Sequence, residues 1–254
     1  MRELTLTALP GIPEVMPGAD LVGLLCAGVE RAGRSIETGD VLVLAQKIVS
    51  KAEGRLARLA DVSPSSRALE LARVVEKDPR LVELMLRESR EVLRAKRGVL
   101  IVEHRLGFVM ASAGIDQSNV AGEPGEEVAL LLPENPDASA RRIRQGLRDR
   151  CKVEVGVVIN DSFGRAWRNG VTGVAVGVAG LPALVDMRGQ QDREGRALRV
   201  TQVAAADELA AAASLLMGQG SEGYPAVLAR GFPYAQRESS VRELVRPREE
   251  DLFR

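Results

Sequence analysis

The order of the strand-like and helix-like segments is the feature that most constrains the fold of this chain. Hairpins and a pair of successive helices interrupt any regular alternation of strands with helices. Strict alternation would predict a doubly wound parallel sheet, so this order favours a mixed α+β architecture. Strands are predicted at 2–9, 39–50, 152–161, 171–179, 196–203 and 225–231, a hairpin at 98–114, and helices at 20–32, 65–77, 79–96, 138–150 and 204–218.

Charge and composition exclude several classes of function. The chain carries 35 basic and 35 acidic residues, whereas a nucleic-acid binder would show a basic excess. The longest uncharged apolar run, 169–185, is rich in glycine and too short to span a bilayer. The first residues lack the apolar segment of a secretory signal, so we expect a soluble, cytoplasmic protein. Cys26 and Cys151 are isolated in the sequence, which argues against a zinc site or a disulfide framework.

Acidic residues follow two of the predicted strands. Asp116 comes after the hairpin strand, and Asp161, with Ser162 beside it, comes after the strand at 152–161. Each aspartate alone is accounted for by a turn or a helix cap. Together with a hydroxyl, two carboxylates supply the hard oxygen ligands that Mg²⁺ and Mn²⁺ prefer. The sequence therefore predicts a divalent-metal site.

Groups that can bind phosphate accompany these acids, although no GxxxxGK[ST] motif is present. Lys51 lies at the end of the strand predicted at 39–50, and Arg165 and Arg168 lie close to Asp161. Such arginines suit an anion clamp, or equally a surface turn with charge pairing. A glycine-rich loop at 215–225 permits close approach of a ligand to the backbone.

The single histidine, His104, gives no spacing that would support a nucleophilic triad or a histidine-rich zinc site. The residues alone therefore predict an α+β protein with a metal and phosphate site spread over several loops. They do not name its substrate.

Six motifs in the same order resemble the coenzyme F420-0:L-glutamate ligase family, with the resemblance running from about residue 5 to 234. The motifs are GIPEVMPGADL, GDVLVLAQKIVSKAEGR, SAGIDQSNV, INDSFGRAWRNGVTGVAVGVAG, GQQDREGRALRVT and DELAAAASLLMGQGSEGYPAVLARG. The resemblance implies one ligase domain over 1–254 with two intertwined subdomains, in a homodimer. It also implies GTP, L-glutamate and coenzyme F420-0 as substrates, an acyl-phosphate intermediate, two divalent cations (Mn²⁺ or Mg²⁺), and K⁺ as a further ion. No membrane or nucleic-acid partner is expected.

The resemblance also assigns individual residues. Asp116, Asp161, Ser162 and Gln219 match metal-ligand positions; Gln219 stands where a relative can carry Glu, so it brings no negative charge to the second metal. Nucleotide contacts match Ile12, Pro13, Glu14, Val15, Lys51, Asn119, Met217, Gly218, Gly220, Ser221 and Glu222, and also Gln46 and Lys47, which replace a Ser-Thr pair of some relatives. We expect Arg165 and Arg168 to face F420-0 rather than GTP.

Two further interpretations stay open at this point. The first is an amide ligase of the same fold that acts on another carboxylate acceptor. The second is a nucleotide or cofactor binder without catalytic activity. The flavin-binding, reductase-like domain of some bacterial relatives is not expected here.

Overall fold

A five-stranded sheet forms the centre of the structure, a computed structural model that describes residues 3–118, 120 and 126–252. Its strands lie in the order β1 (Thr5–Ala8), β12 (Ala226–Arg230), β2 (Val41–Ala45), β8 (Gly156–Arg165) and β9 (Arg168–Ala179). Only β2 and β8 pair in parallel; every other pair in this sheet is antiparallel. Residues 41–44 and 156–160 are buried, because helices and loops cover this part of the sheet.

Four helices accompany this sheet: α1 (Leu21–Arg31), α2 (Gln46–Ala52), α5 (Pro136–Cys151) and α6 (Ala205–Met217). Both α5 and α6 pack on β8 and β9, and α1 packs on α5. Asp20 begins α1 by accepting a hydrogen bond from the Gly23 amide at 2.9 Å, as an N-cap does. Gly173 allows the approach of α6, because a Cβ there would lie 2.5 Å from the Ala210 carbonyl oxygen.

A separate cluster of buried side chains lies within the segment between α2 and α5. This segment contains β3 (Leu56–Arg58), α3 (Ser66–Val75), α4 (Pro79–Arg87), β4 (Ser89–Lys96), β5 (Val99–His104), β6 (Val109–Ala111) and β7 (Val128–Leu130). Strands β4, β5 and β6 form an antiparallel sheet, and β3 pairs with β7. The division of the ligase domain into two subdomains stays a prediction.

The short strands β10 (Val185–Asp186) and β11 (Gln202–Val203) form a ribbon after β9. The mixed α+β class predicted from the sequence is confirmed. Most predicted elements are present, including the hairpin at 98–114 and the helices at 20–32, 65–77, 138–150 and 204–218. No helix of the described part of the chain is long and apolar enough to cross a bilayer.

Three predicted elements are wrong in part. The strand predicted at 39–50 ends at Ala45, and the residues that follow form α2, so Lys51 lies on a helix rather than at a strand end. The helix predicted at 79–96 ends at Arg87, because the residues after it pair with β5. Of the strand predicted at 196–203, only β11 has strand pairing. In each case tertiary pairing decides between local patterns that are ambiguous in the sequence.

Candidate functional site

A cavity of about 440 Å³ opens where β2 ends and β12 begins. The loop after β1, the start of α2, the middle of β8 and the end of α6 all contribute to its wall. Most of the residues assigned from the sequence meet here: Ile12, Pro13, Glu14, Val15, Gln46, Lys47, Lys51, Asp161, Ser162, Met217, Gly218, Gln219, Gly220 and Ser221. The topology therefore brings together residues from four distant parts of the chain.

Asp116 reaches this cavity through Lys47. Its Oδ2 lies 2.6 Å from Lys47 Nζ, and Lys47 also donates hydrogen bonds to the hydroxyl and the backbone carbonyl of Ser118. Ser118 in turn donates from its amide and its hydroxyl to Asp116 Oδ1, each at 2.7 Å. Burial raises the pKa of Asp116, but the hydrogen bonds from Lys47 and Ser118 and the charge of Lys47 outweigh it, so the net pKa is lowered.

Asp161 has the opposite electrostatic environment. The protein around its carboxylate removes water, and this desolvation raises its pKa to about 7. The negative charge of Asp116 raises the pKa further, whereas a hydrogen bond from the Ser162 amide at 2.8 Å and the charge of Lys47 lower it. The two aspartates thus stand close enough to interact, and only one of them has a tight ion pair.

Ser162 and Gln219 contribute two neutral oxygens to the same cavity. Ser162 Oγ donates to Gln219 Oε1 at 2.9 Å, which joins the middle of β8 to the loop after α6. Asp161 and Ser162 were predicted to follow a strand, but β8 continues to Arg165 and pairs with β9 throughout. Both residues are therefore fixed by pairing with β9.

A second lysine of α2 also lines the cavity. Lys51 is 7% exposed and forms an ion pair with Glu14 from the loop after β1. Lys47 and Lys51 are four residues apart, so both lie on the same side of the helix. On the neighbouring side, Ser50 Oγ donates to Gln46 Oε1 at 2.9 Å. Two cations therefore project from one short helix toward one cavity, a suitable arrangement for phosphate groups.

Buried polar atoms without a partner mark the inner wall. The Nε2 atom of Gln46 has no hydrogen-bond partner among the described residues, although this residue is only 1% exposed. The Oδ1 atom of Asn160 is also unpartnered, while its Nδ2 donates to Ser214 Oγ at 2.9 Å. Such atoms cost free energy unless a ligand or water satisfies them.

The loop after α6 begins with a glycine, at a position that no other residue can occupy without strain. Gly218 has φ 73° and ψ −178°, and a Cβ at this position would overlap the Glu222 carboxylate. That carboxylate accepts a hydrogen bond from the Gly220 amide at 2.8 Å. Hydrogen bonds from the backbone amides of the loop lower the pKa of Glu222. The backbone N–H groups of this loop therefore already bind one anion, the Glu222 carboxylate.

Four of the described site residues are not part of the cavity wall: Asp116, Glu222, Arg165 and Arg168. Arg165 and Arg168 pair across the end of the β8–β9 hairpin and are exposed, and Arg165 donates to the Asn169 carbonyl oxygen at 3.2 Å. Between them Trp167 is 88% exposed with φ 64°. Asn119 lies outside the described residues.

Sequence reasoning missed several residues that line the cavity. They are Ala45, Ile48, Asn160 and Ser214, whereas Gly223, Tyr224 and Pro225 belong to the glycine-rich loop predicted at 215–225. Asn160 carried a usable signal, since an amide at the end of a continuous apolar run has to find a buried partner. Ser214 carried none, because a serine inside an alanine-rich helix is unremarkable until the fold places it against β8.

Comparison with known proteins identifies the family to which this sequence is similar. A family model described as "F420-0:Gamma-glutamyl ligase" matches residues 11–231. A protein of Methanothermobacter thermautotrophicus named "Coenzyme F420:L-glutamate ligase" is 46% identical over 253 residues, which cover 99% of each chain. Proteins of the same name from Methanopyrus kandleri and Methanocaldococcus jannaschii are 44% and 42% identical, and cover 99% and 86% of this chain and 98% and 86% of their own lengths.

Proposed function

The chain belongs to the F420-0:gamma-glutamyl ligase family, and from this membership we propose that it is an enzyme that joins L-glutamate to coenzyme F420-0. The observation that carries the proposal is the convergence of Asp161, Lys47 and Lys51 on one cavity, with Asp116 paired to Lys47. The positive charges of such a site can offset the repulsion between a nucleotide phosphate and a substrate carboxylate, so that both can bind close together.

The reaction proposed here has two steps. In the first, the acceptor carboxylate oxygen attacks the γ-phosphorus of GTP, the bond to the β-phosphate oxygen breaks, and GDP leaves. In the second, the amino nitrogen of L-glutamate attacks the carbonyl carbon of the acyl phosphate. Phosphate leaves with one former carboxylate oxygen, the nitrogen loses a proton, and an amide forms. Repetition on the product would lengthen the glutamate tail.

The lysines of α2 are assigned to the transferred phosphate. Lys47 and Lys51 already hold carboxylates, and an ammonium group binds a phosphate oxygen through the same contacts. Lys51 is nearly fully buried, so its charge is poorly screened and acts strongly on a group that enters the cavity. We assign the loop 12–15 and the loop 217–222 to the nucleotide, since residues of both loops line the cavity.

The residues present fit divalent cations. Asp161 has no tight ion pair among the described residues, and repulsion from Asp116 contributes to its raised pKa, so a nearby cation would relieve both penalties. With Ser162 and Gln219, the two aspartates supply an all-oxygen ligand set. The described residues hold no cluster of three His, Cys, Asp or Glu side chains, so phosphate oxygens and water would complete the coordination. Bound Mg²⁺ or Mn²⁺ would neutralise charge on the phosphoryl group.

Asp161 and Lys47 then have distinct tasks. Asp161 would hold a metal through a carboxylate fixed by the Ser162 amide. Lys47 keeps Asp116 ionised and stays within reach of the γ-phosphate.

We propose further that K⁺ assists the reaction and that the enzyme is a homodimer. Light scattering in solution would measure the mass of the assembly.

Product analysis tests the proposal directly. Purified protein is incubated with GTP, Mn²⁺ and L-glutamate, with and without F420-0, and the products are identified by mass spectrometry. We expect GDP release that depends on F420-0 and a mass increase of one glutamate residue for each addition. GDP release that depends on a different carboxylate acceptor would favour an amide ligase of other specificity. Nucleotide binding without any turnover would refute an enzymatic function.

The exposed arginines need a separate test. We propose that Arg165 and Arg168 contact F420-0, because they lie at the end of the strand that carries Asp161 but outside the cavity wall. Arg165→Ala is therefore expected to raise KM for F420-0 about ten-fold and to leave KM for GTP unchanged. The reverse pattern would show that the arginine serves the nucleotide.

A further inference from the structure

A second cavity of about 330 Å³ lies at the outer edge of β9 and is not needed for the nucleotide site described above. Side chains from β6, β8, β9, the start of α6 and the chain after residue 243 surround it. Its larger apolar members are Phe108, Val109, Phe163, Val174, Leu244 and Val245, and its charged members are Asp207, Arg246 and Asp251. This volume falls in the range of small-molecule sites, which are mostly apolar with a few polar groups.

The second cavity lies along the same strand pair, β8 and β9, as the candidate active site. Val174 is the direct partner of Asp161 in the β8–β9 ladder, so their side chains leave the sheet on the same face. Phe163 lies two residues beyond Asp161 on β8, about 7 Å further along the strand and on that same face. A ligand in the second cavity could therefore reach Asp161 with a flexible side chain that runs along β8 and β9.

We infer that this second cavity binds the deazaflavin ring of the acceptor, while the carboxylate end of the acceptor reaches Asp161. The inference rests on the proposed function, because it concerns the same acceptor. The nucleotide site and the ring site then lie on opposite sides of the reacting carboxylate.

The wall chemistry fits a flat aromatic ring with a polar edge. Phe108 and Phe163 pack edge to face, with centroids 5.9 Å apart and ring planes at 78°, so the pair presents both a ring face and a ring edge. Asp207 accepts the Ala175 amide through Oδ1 at 2.8 Å. A carboxylate has about four acceptor positions, so Asp207 can also accept the imide N–H of a deazaflavin.

A substitution that fills the cavity tests this inference without disturbing the core. Val109 lies on β6, is 43% exposed and lines the second cavity, so Val109→Trp should fill the space while the strand stays paired. Val245→Trp fills the same space from the opposite wall, in case the first variant fails to fold. Val200→Trp is the matched control, because Val200 is 84% exposed and lines neither cavity.

Two readouts separate ring binding from turnover. The first is fluorescence anisotropy with the deazaflavin nucleoside, which has the ring and the sugar chain but no phosphate and no carboxylate. The second is steady-state kinetics with F420-0 and GTP. We expect Val109→Trp to lose nucleoside binding and to raise KM for F420-0 at least about ten-fold, with KM for GTP unchanged. The control Val200→Trp should match the wild-type enzyme.

The possible failures are distinguishable. A wild-type protein that does not bind the nucleoside, or filled variants that bind it as tightly as the wild type, would overturn the ring assignment. Unchanged KM for F420-0 in both filled variants would also overturn it. Absence of turnover by a wild-type protein that still binds the nucleoside would instead refute the proposed function and leave the ring site supported.

Discussion

Replacing Asp161 with asparagine should stabilise the metal-free protein while it abolishes catalysis. Burial raises the pKa of Asp161 to about 7 from an ordinary value of 3.8. Between these values the folded state holds a proton that the unfolded state has lost, so the free energy of unfolding falls as the pH rises. The full difference corresponds to about 4 kcal/mol at pH 8, at about 1.4 kcal/mol per pKa unit.

The measurable gain should be smaller than that limit. The cavity is open to water, which screens the carboxylate, so we expect about 2 kcal/mol. An asparagine Oδ1 can still accept the Ser162 amide, so Asp161→Asn removes the charge and keeps this hydrogen bond. The gain should be near zero at pH 4, increase up to pH 7 and then remain constant.

Urea unfolding in the presence of EDTA measures this effect, because the chelator removes cations that favour the ionised carboxylate. Asp116→Asn is the matched control, since the lowered pKa of Asp116 predicts a loss of stability at pH 8. A product assay on the same samples should show at least about 100-fold lower kcat for Asp161→Asn. If Asp161→Asn were no more stable than the wild-type protein at pH 8, the idea that burial makes ionisation of this carboxylate costly would be refuted.

Three further predictions concern single contacts. Gly173→Ala places a Cβ 2.5 Å from a backbone carbonyl oxygen of α6 and should cost about 2 kcal/mol in urea unfolding, whereas Gly164→Ala, with open space around it, should cost much less. Gln219→Glu adds a negative charge to the proposed metal ligands and should tighten Mn²⁺ binding about ten-fold by calorimetry; unchanged affinity would remove this residue from the ligand set. Cys26 and Cys151 have Sγ atoms 3.5 Å apart, so two-electron oxidation by diamide should consume both thiols, form a disulfide and raise the melting temperature; Cys26→Ser should show no such rise.

The cysteine pair shows what spacing in a sequence leaves out. With 125 positions between them, Cys26 and Cys151 gave no reason to expect contact, but α1 packs on α5 and brings their sulfurs together. Helix caps are local by contrast, since Asp20 and Asp78, the N-caps of α1 and α4, act within three residues of their own position. Local signals are therefore preserved in the sequence, whereas contacts across the core depend on the topology.

The candidate site follows the same division. The motifs predicted a set of site residues, and most of these residues line one cavity. Their mutual contacts were not predictable, because the ion pair of Lys47 with Asp116 joins α2 to the segment before β7. The ambiguity at 39–50 had the same origin. The apolar run predicts one strand, but in the structure β2 ends at Ala45, and α2 directs Lys47 and Lys51 toward the cavity.

A shift in strand register explains how β8 can carry a polar site in its middle. Ile159 pairs with Gly177, whereas Asn160 pairs with Ala175, so Val176 is an extra residue on β9. Such a bulge bends the strand and redirects the side chains that follow it. Residues before the shift are buried in the core, and Asp161, directly after Asn160, reaches the cavity. The uniform small-residue pattern around Val176 gives no local sign of the extra residue, so a sequence that identifies the aspartate still predicts the wrong end for its strand.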